Sequence, residues 1–187
     1  MIMKKIITLM GLAAFAFVGQ AVAAEKGFKS IFDGKTLEGW NGDPKFWSVQ
    51  DGAITGKTTK ENPTKGNTFI LWDGGKTGDF DLRLDYKIVG GNSGIQYRSF
   101  KLKNGADQWR VGGYQADIDS GPTYSGICYG EAFRGVLSLR GKKTILTVGD
   151  DGKLKKSAEE FSKDADVAKA IKNEQWNSYR IVARGFN

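Results

Sequence analysis

"FDLRLDYKI", residues Phe80 to Ile88, is the stretch on which the fold turns. Phe80, Leu82, Leu84, Tyr86 and Ile88 alternate with Asp81, Arg83, Asp85 and Lys87, which at a side-chain period of two gives one apolar face and one charged face. This is a strand with one side buried and the other wet. On both sides of it, short apolar runs are bounded repeatedly by Gly, Asn or Asp, in a chain with 26 glycines and only 3 prolines. That texture predicts an all-β sandwich of two antiparallel sheets.

Further strands are expected at Trp47 to Val49 and Ala53 to Thr55, joined by the hairpin signal Asp51-Gly52. Others follow at Thr68 to Trp72, Gly94 to Ser99, Tyr114 to Ile118, Gly126 to Glu131, Gly135 to Leu139, Lys143 to Val148 and Ser178 to Ala183. One helical insertion is expected between Ser157 and Lys172. There Ala158, Phe161, Ala165, Ala168 and Ile171 recur at helical spacing, and Ser157 with Glu160 has the pattern of a capping box. "WNSYRIVARGFN" (Trp176 to Asn187) runs through a good strand and stops after a turn signal, so the expectation is an unpaired edge or a domain whose last strands are missing.

At 187 residues the chain has room for one domain with a proper core. Met1 to Ala24 stand apart: Lys4 and Lys5 precede an apolar run from Ile6 to Val18, and Ala21-Val22-Ala23-Ala24 offers small residues for cleavage. This is the pattern of a secretory signal peptide, and the apolar run is too short to span a membrane. No cysteine lies at the cleavage point to be lipidated, so residues 25–187 are expected as one domain in the periplasm or outside the cell, free of the membrane after cleavage.

Without Lys4 and Lys5, 26 basic residues face 21 acids, a modest net charge of about +5. The basic residues are scattered among acids, which argues against nucleic acid as partner. The single cysteine, Cys128, cannot form an internal disulfide and reads as a small buried residue. The chain has no histidine, which excludes Ser-His-Asp and Cys-His hydrolysis and histidine zinc sites.

Chemistry concentrates in "GYQADIDSGPTYSGICYGEAFRG" (Gly113 to Gly135) and in "GIQYRS" just before it. Period-two geometry puts Gln115, Asp117 and Asp119 on one face of a strand, Gln96 and Arg98 on one face of another, and Ile127, Tyr129 and Glu131 on one face of a third. Each residue alone reads as a wet position of an antiparallel strand. Together, amides, acids, a guanidinium and a phenol beside glycines suit sugar hydroxyls, with Trp40, Trp47, Trp72 and Trp109 as candidate rings, at least half of them core. Asp117 and Glu131 pair as base and acid, or as oxygen ligands of a divalent cation. Arg134 either neutralises an anionic intermediate or pairs with Glu131.

"FKSIFDGKTLEGW" (Phe28 to Trp40), "WSVQDGAITG" (Trp47 to Gly56), "FDLRLDYKI" with "GNSGIQYRS" (Phe80 to Ser99), "GYQADID" (Gly113 to Asp119), "YSGICYGE" with "RG" (Tyr124 to Gly135) and "WNSYRIVARG" (Trp176 to Gly185) occur in a fixed order. In that order they resemble the 3-keto-disaccharide hydrolase domain family over nearly all of the exported part. The resemblance implies a concanavalin A-like jelly-roll sandwich and action on 3-keto-glycosides. A C3 ketone acidifies the C2 proton, so a carboxylate can remove it and expel the C1 substituent, with hydration completing a net hydrolysis. Arg98, Arg134, Tyr129 or a bound cation would stabilise the enolate. The family usually continues with further strands beyond the position of Asn187. The E-x-D-x-x-E signature of laminarinase-like glucanases is absent. Two functions follow as expectations: a hydrolase or lyase with Asp117 and Glu131 as catalytic groups and Gln96, Arg98, Gln115, Tyr129 and Arg134 binding substrate, or a noncatalytic carbohydrate-binding module on the same face.

Overall fold

The structure, a computed structural model, describes residues 26–102 and 108–185. The expected signal peptide lies outside the described residues. Among these the chain forms twelve strands and one short helix. In order they are β1 (Trp40–Gly42), β2 (Trp47–Gln50), β3 (Ala53–Gly56), β4 (Ile70–Trp72), β5 (Phe80–Tyr86), β6 (Asn92–Lys101) and β7 (Val111–Asp119). Then come β8 (Cys128–Glu131), β9 (Gly135–Ser138), β10 (Lys142–Val148), β11 (Leu154–Glu160), α1 (Asp164–Lys169) and β12 (Asn177–Ala183). All pairings are antiparallel, and the architecture is an all-β sandwich.

The largest sheet runs β6-β7-β8-β9. Against it packs the pair β5-β12, in the register Tyr179↔Leu84, Ile181↔Leu82 and Ala183↔Phe80. Directly paired residues share a face, so Phe80, Leu82, Leu84 and Tyr86 join Tyr179, Ile181 and Ala183 on the inner side, as the alternation of "FDLRLDY" requires. On the large sheet the inner row comes from Tyr97, Tyr114, Ala116 and Ile118. The layers meet where the Phe80 ring stands edge-on to Tyr97 at 5.9 Å, and Tyr97 stacks on Tyr114 at 5.8 Å. The outer side of β5-β12 carries charge, with Arg180 bidentate on Asp81.

Asp51 (φ 50°) and Gly52 (φ 76°) both sit in the left-handed region between β2 and β3, as a two-residue hairpin turn demands. Trp40 and Trp72 face each other across β1 and β4, and the Trp40 indole N–H donates to Ile31 O at 2.8 Å. These two tryptophans pack within a small sheet and are half-buried.

The helix prediction is corrected in its first half. Ser157 to Glu160 belong to β11, where Ser157 pairs with Ile145, so the Ser157-Glu160 capping box does not form. The helix occupies only Asp164–Lys169, with Lys163 at its N-cap and no side-chain cap. Its start is held by Arg140, buried at 6% exposure. That guanidinium bonds both Asp164 oxygens, at 2.8 and 3.2 Å, and the carbonyls of Ser125 and Pro122. One cation thus ties α1 to the loop that follows β7. No described helix is long and apolar enough to cross a membrane.

Candidate active site

The registers decide whether the polar rows share a surface. Gln96 pairs with Gln115 across β6 and β7, and Gln115 pairs with Tyr129 across β7 and β8. The three therefore stand in one row on one face. Asn92 (opposite Asp119), Asp117 (opposite Gly94) and Glu131 (opposite Gly113) fall on that same face, the one turned away from the β5-β12 layer. The period-two reading of Gln115, Asp117, Tyr129 and Glu131 is realised as one surface.

The face is not simply wet. Gln115, Asp117 and Glu131 are 8, 5 and 7% exposed, and buried polar groups at such positions must be hydrogen-bonded. Gln115 Nε2 donates to Asp117 Oδ1 at 3.0 Å, and Asn92 Nδ2 donates to the same oxygen at 3.3 Å. Asn67 Nδ2 donates to Glu131 Oε1 at 2.9 Å from a loop 64 residues away in sequence. Gln96 Nε2 donates to Val111 O at 3.0 Å, while Gln96 Oε1 is buried with no partner among the described residues. An orphaned carbonyl on such a face is a natural acceptor for a ligand hydroxyl.

Burial raises the Asp117 pKa, opposed by the Gln115 and Asn92 donations and reinforced by the negative charge of Asp119. A carboxylate kept hungry for a proton, in a row of amides, is suited to general acid–base work.

The two arginines do not join this row. After Tyr97 the pairing slips, and Arg98 and Ser99 together oppose Gly113 in a β-bulge. Arg98 takes φ 49°, and its guanidinium lies 3.8 Å from Asp79 at the head of β5, so the bulge breaks the expected alternation with Gln96. Arg134 lies in the β8-β9 turn and reaches Tyr114 Oη at 3.5 Å, on the inner side of the sheet, while Glu131 is served by Asn67. Of the two readings of Arg134, pairing with Glu131 is not what forms.

Asp117 and Glu131 are four positions apart along β7 and one strand across. That places their backbones about 14 Å apart at ordinary strand spacings. Among the described residues no three Asp, Glu or Cys side chains gather as cation ligands, and at this separation Asp117 and Glu131 do not share one cation.

Sequence reasoning missed Asn92 and Asn67. Asn92 begins "NSGIQYRS" and shares the parity of Gln96, a signal that was available. Asn67 sits in a loop, and nothing local connects it to Glu131.

Fold and site together define a class: antiparallel β-sandwich domains with a buried polar row on an outer sheet face. Residues 27–187 match the family model described as the 3-keto-alpha-glucoside-1,2-lyase-like domain, and the chain belongs to that family. A 3-keto-disaccharide hydrolase of Bacteroides thetaiotaomicron is 39% identical over 83 residues, a match covering 38% of this chain and 27% of that relative. No solved structure matches the chain.

Proposed function

We propose that the protein is an exported enzyme that cleaves 3-keto-glycosides, with Asp117 as the base and Glu131 as the acid. The observation that carries this reading is the cross-strand row Gln96-Gln115-Tyr129, flanked on the same face by the two buried carboxylates. Family membership and the name of the Bacteroides relative supply the substrate class.

Asp117 takes the C2 proton, and the C–H electron pair forms the enolate with the C3 ketone. The pair then returns to expel the C1 oxygen, which leaves with a proton from Glu131. The products are an alcohol and an unsaturated keto sugar. Water added across its double bond makes the net reaction a hydrolysis. Tyr129 and the Gln96 amide are the groups of the row placed to hydrogen-bond the sugar between the two acids. About 14 Å between the two backbones leaves room for a sugar ring lying along β7.

The test is to incubate the protein with a glycoside and its 3-keto derivative and follow aglycone release. Release is expected from the keto compound alone, with Asp117→Asn and Glu131→Gln each slower by roughly 100-fold or more. Full turnover by both variants would remove the assignment, and saturable sugar binding without product would make the domain a binding module.

A further inference from the structure

The side-chain bonds to the Asp117 carboxylate are one-sided, and the N–H of Ile118, the next residue, adds a backbone donation to it. Gln115 Nε2 from its own strand and Asn92 Nδ2 from the neighbouring strand both end on Oδ1, and no described side chain donates to Oδ2. The backbone beneath is equally fixed: Asp117 N donates to Ile127 O, and Asp117 O accepts from Gly126 N and Tyr179 Oη. The residue has little freedom to turn its carboxylate.

The glycine opposite fits the same arrangement. Gly94 has ordinary strand backbone, so no turn requires it. A Cβ built there would stand 2.5 Å from Gln115 Cγ and 2.6 Å from its Cδ. The space that Gly94 leaves is the space the Gln115 side chain occupies on its way to Asp117.

The donors are neutral amides. An arginine or lysine in their place would orient the carboxylate but drain its basicity, because an adjacent cation favours the ionised form. Amides orient it at smaller cost to its proton affinity. Among the described residues the other titratable groups near Asp117 are Asp119, two residues along β7, and Tyr179 of β12, which bonds its backbone oxygen. Neither supplies a positive charge.

We infer that Asn92 and Gln115 are positioning residues that hold Asp117 by Oδ1 and present Oδ2 as the atom that accepts the substrate proton. The inference rests on Asp117 being the base. Proton transfer in such sites depends on the angle and distance of one oxygen, so loosening the clamp harms the chemical step more than binding.

The test compares pH profiles of kcat/KM on p-nitrophenyl 3-keto-α-glucoside for the parent, Asn92→Ala, Gln115→Met and Asp117→Asn. Asn92 is exposed, so its truncation is expected to leave the fold intact, which keeps the test alive if Gln115→Met folds poorly. Loss of a donor to the ionised form moves the acid limb toward higher pH, by about one unit. At the plateau kcat falls about tenfold with KM within about twofold. An inactive Asp117→Asn beside an unmoved acid limb in Asn92→Ala would overturn the clamp and leave the base. An Asp117→Asn protein with full turnover would overturn the base itself, and the clamp with it.

Discussion

Asp117 is expensive to the fold in a way that has a pH signature. Its folded pKa is raised, by burial first and by Asp119 as a lesser cause, above the ordinary carboxyl value of 3.8. The folded carboxyl therefore holds its proton more tightly than the unfolded one. Stability falls as pH rises through the window from the unfolded value to the folded one, and remains reduced above it. Asp81 and Asp164 run the other way: hydrogen bonds from Arg180 and Arg140 lower their pKa values, and their contribution is lost as pH falls. Asp117→Asn removes the desolvated charge and keeps the side chain's size. Its melting temperature at pH 7 should exceed that of the parent, and the two should converge below about pH 3.8. Thermal melts across pH 3 to 8 test this, and a lower melting point for Asp117→Asn at neutral pH would make the carboxylate a structural anchor.

At the scale of elements, strands with a buried face could be read from the sequence and the charged hairpin could not. "FDLRLDY" and "YQADID" carry their period because one face meets a core. β11, "LKKSAEE", is exposed along its whole length, so no burial imposes alternation, and its Lys, Ala and Glu have the composition of a helix. What makes it a strand is its partner: Lys142 and Lys143 each reach a glutamate directly opposite, Glu160 and Glu159, at 2.7 Å. Cross-strand pairing of this kind lies outside any local window. The same limit hid the bulge at Arg98, because one extra residue inverts the parity of everything beyond it, and it hid Asn67. Lys143→Glu sets like charges opposite each other and should loosen the hairpin by roughly 0.2–1 kcal/mol. Hydrogen exchange should quicken in β10 and β11 while β5 to β8 stay protected, and added salt should narrow the difference.

Across the whole molecule, the two layers are tied immediately behind the candidate base. Tyr179 projects from β12, packs tilted against Tyr86 with ring centres 4.6 Å apart, and ends on the other sheet. There its hydroxyl donates to Asp117 O and accepts from Gly126 N at 2.9 Å. The same phenol thus satisfies the backbone at the residue whose side chain faces the opposite surface, so packing of the sandwich and aim of the carboxylate share one contact. Tyr179→Phe keeps the ring and its packing but removes both bonds of the hydroxyl, leaving Asp117 O and Gly126 N only their bond to each other at 3.2 Å, a loss of roughly 0.5–1.5 kcal/mol. If the phenol only fastens the layers, urea unfolding shifts and the folded protein works at the parent's rate. If it also fixes Asp117, kcat on the 3-keto-glucoside falls severalfold at 25 °C, where the variant remains folded, while KM holds. We expect the second result, because the Asp117 main chain from which the carboxylate projects is held by the Tyr179 contact and by the ladder to Ile127.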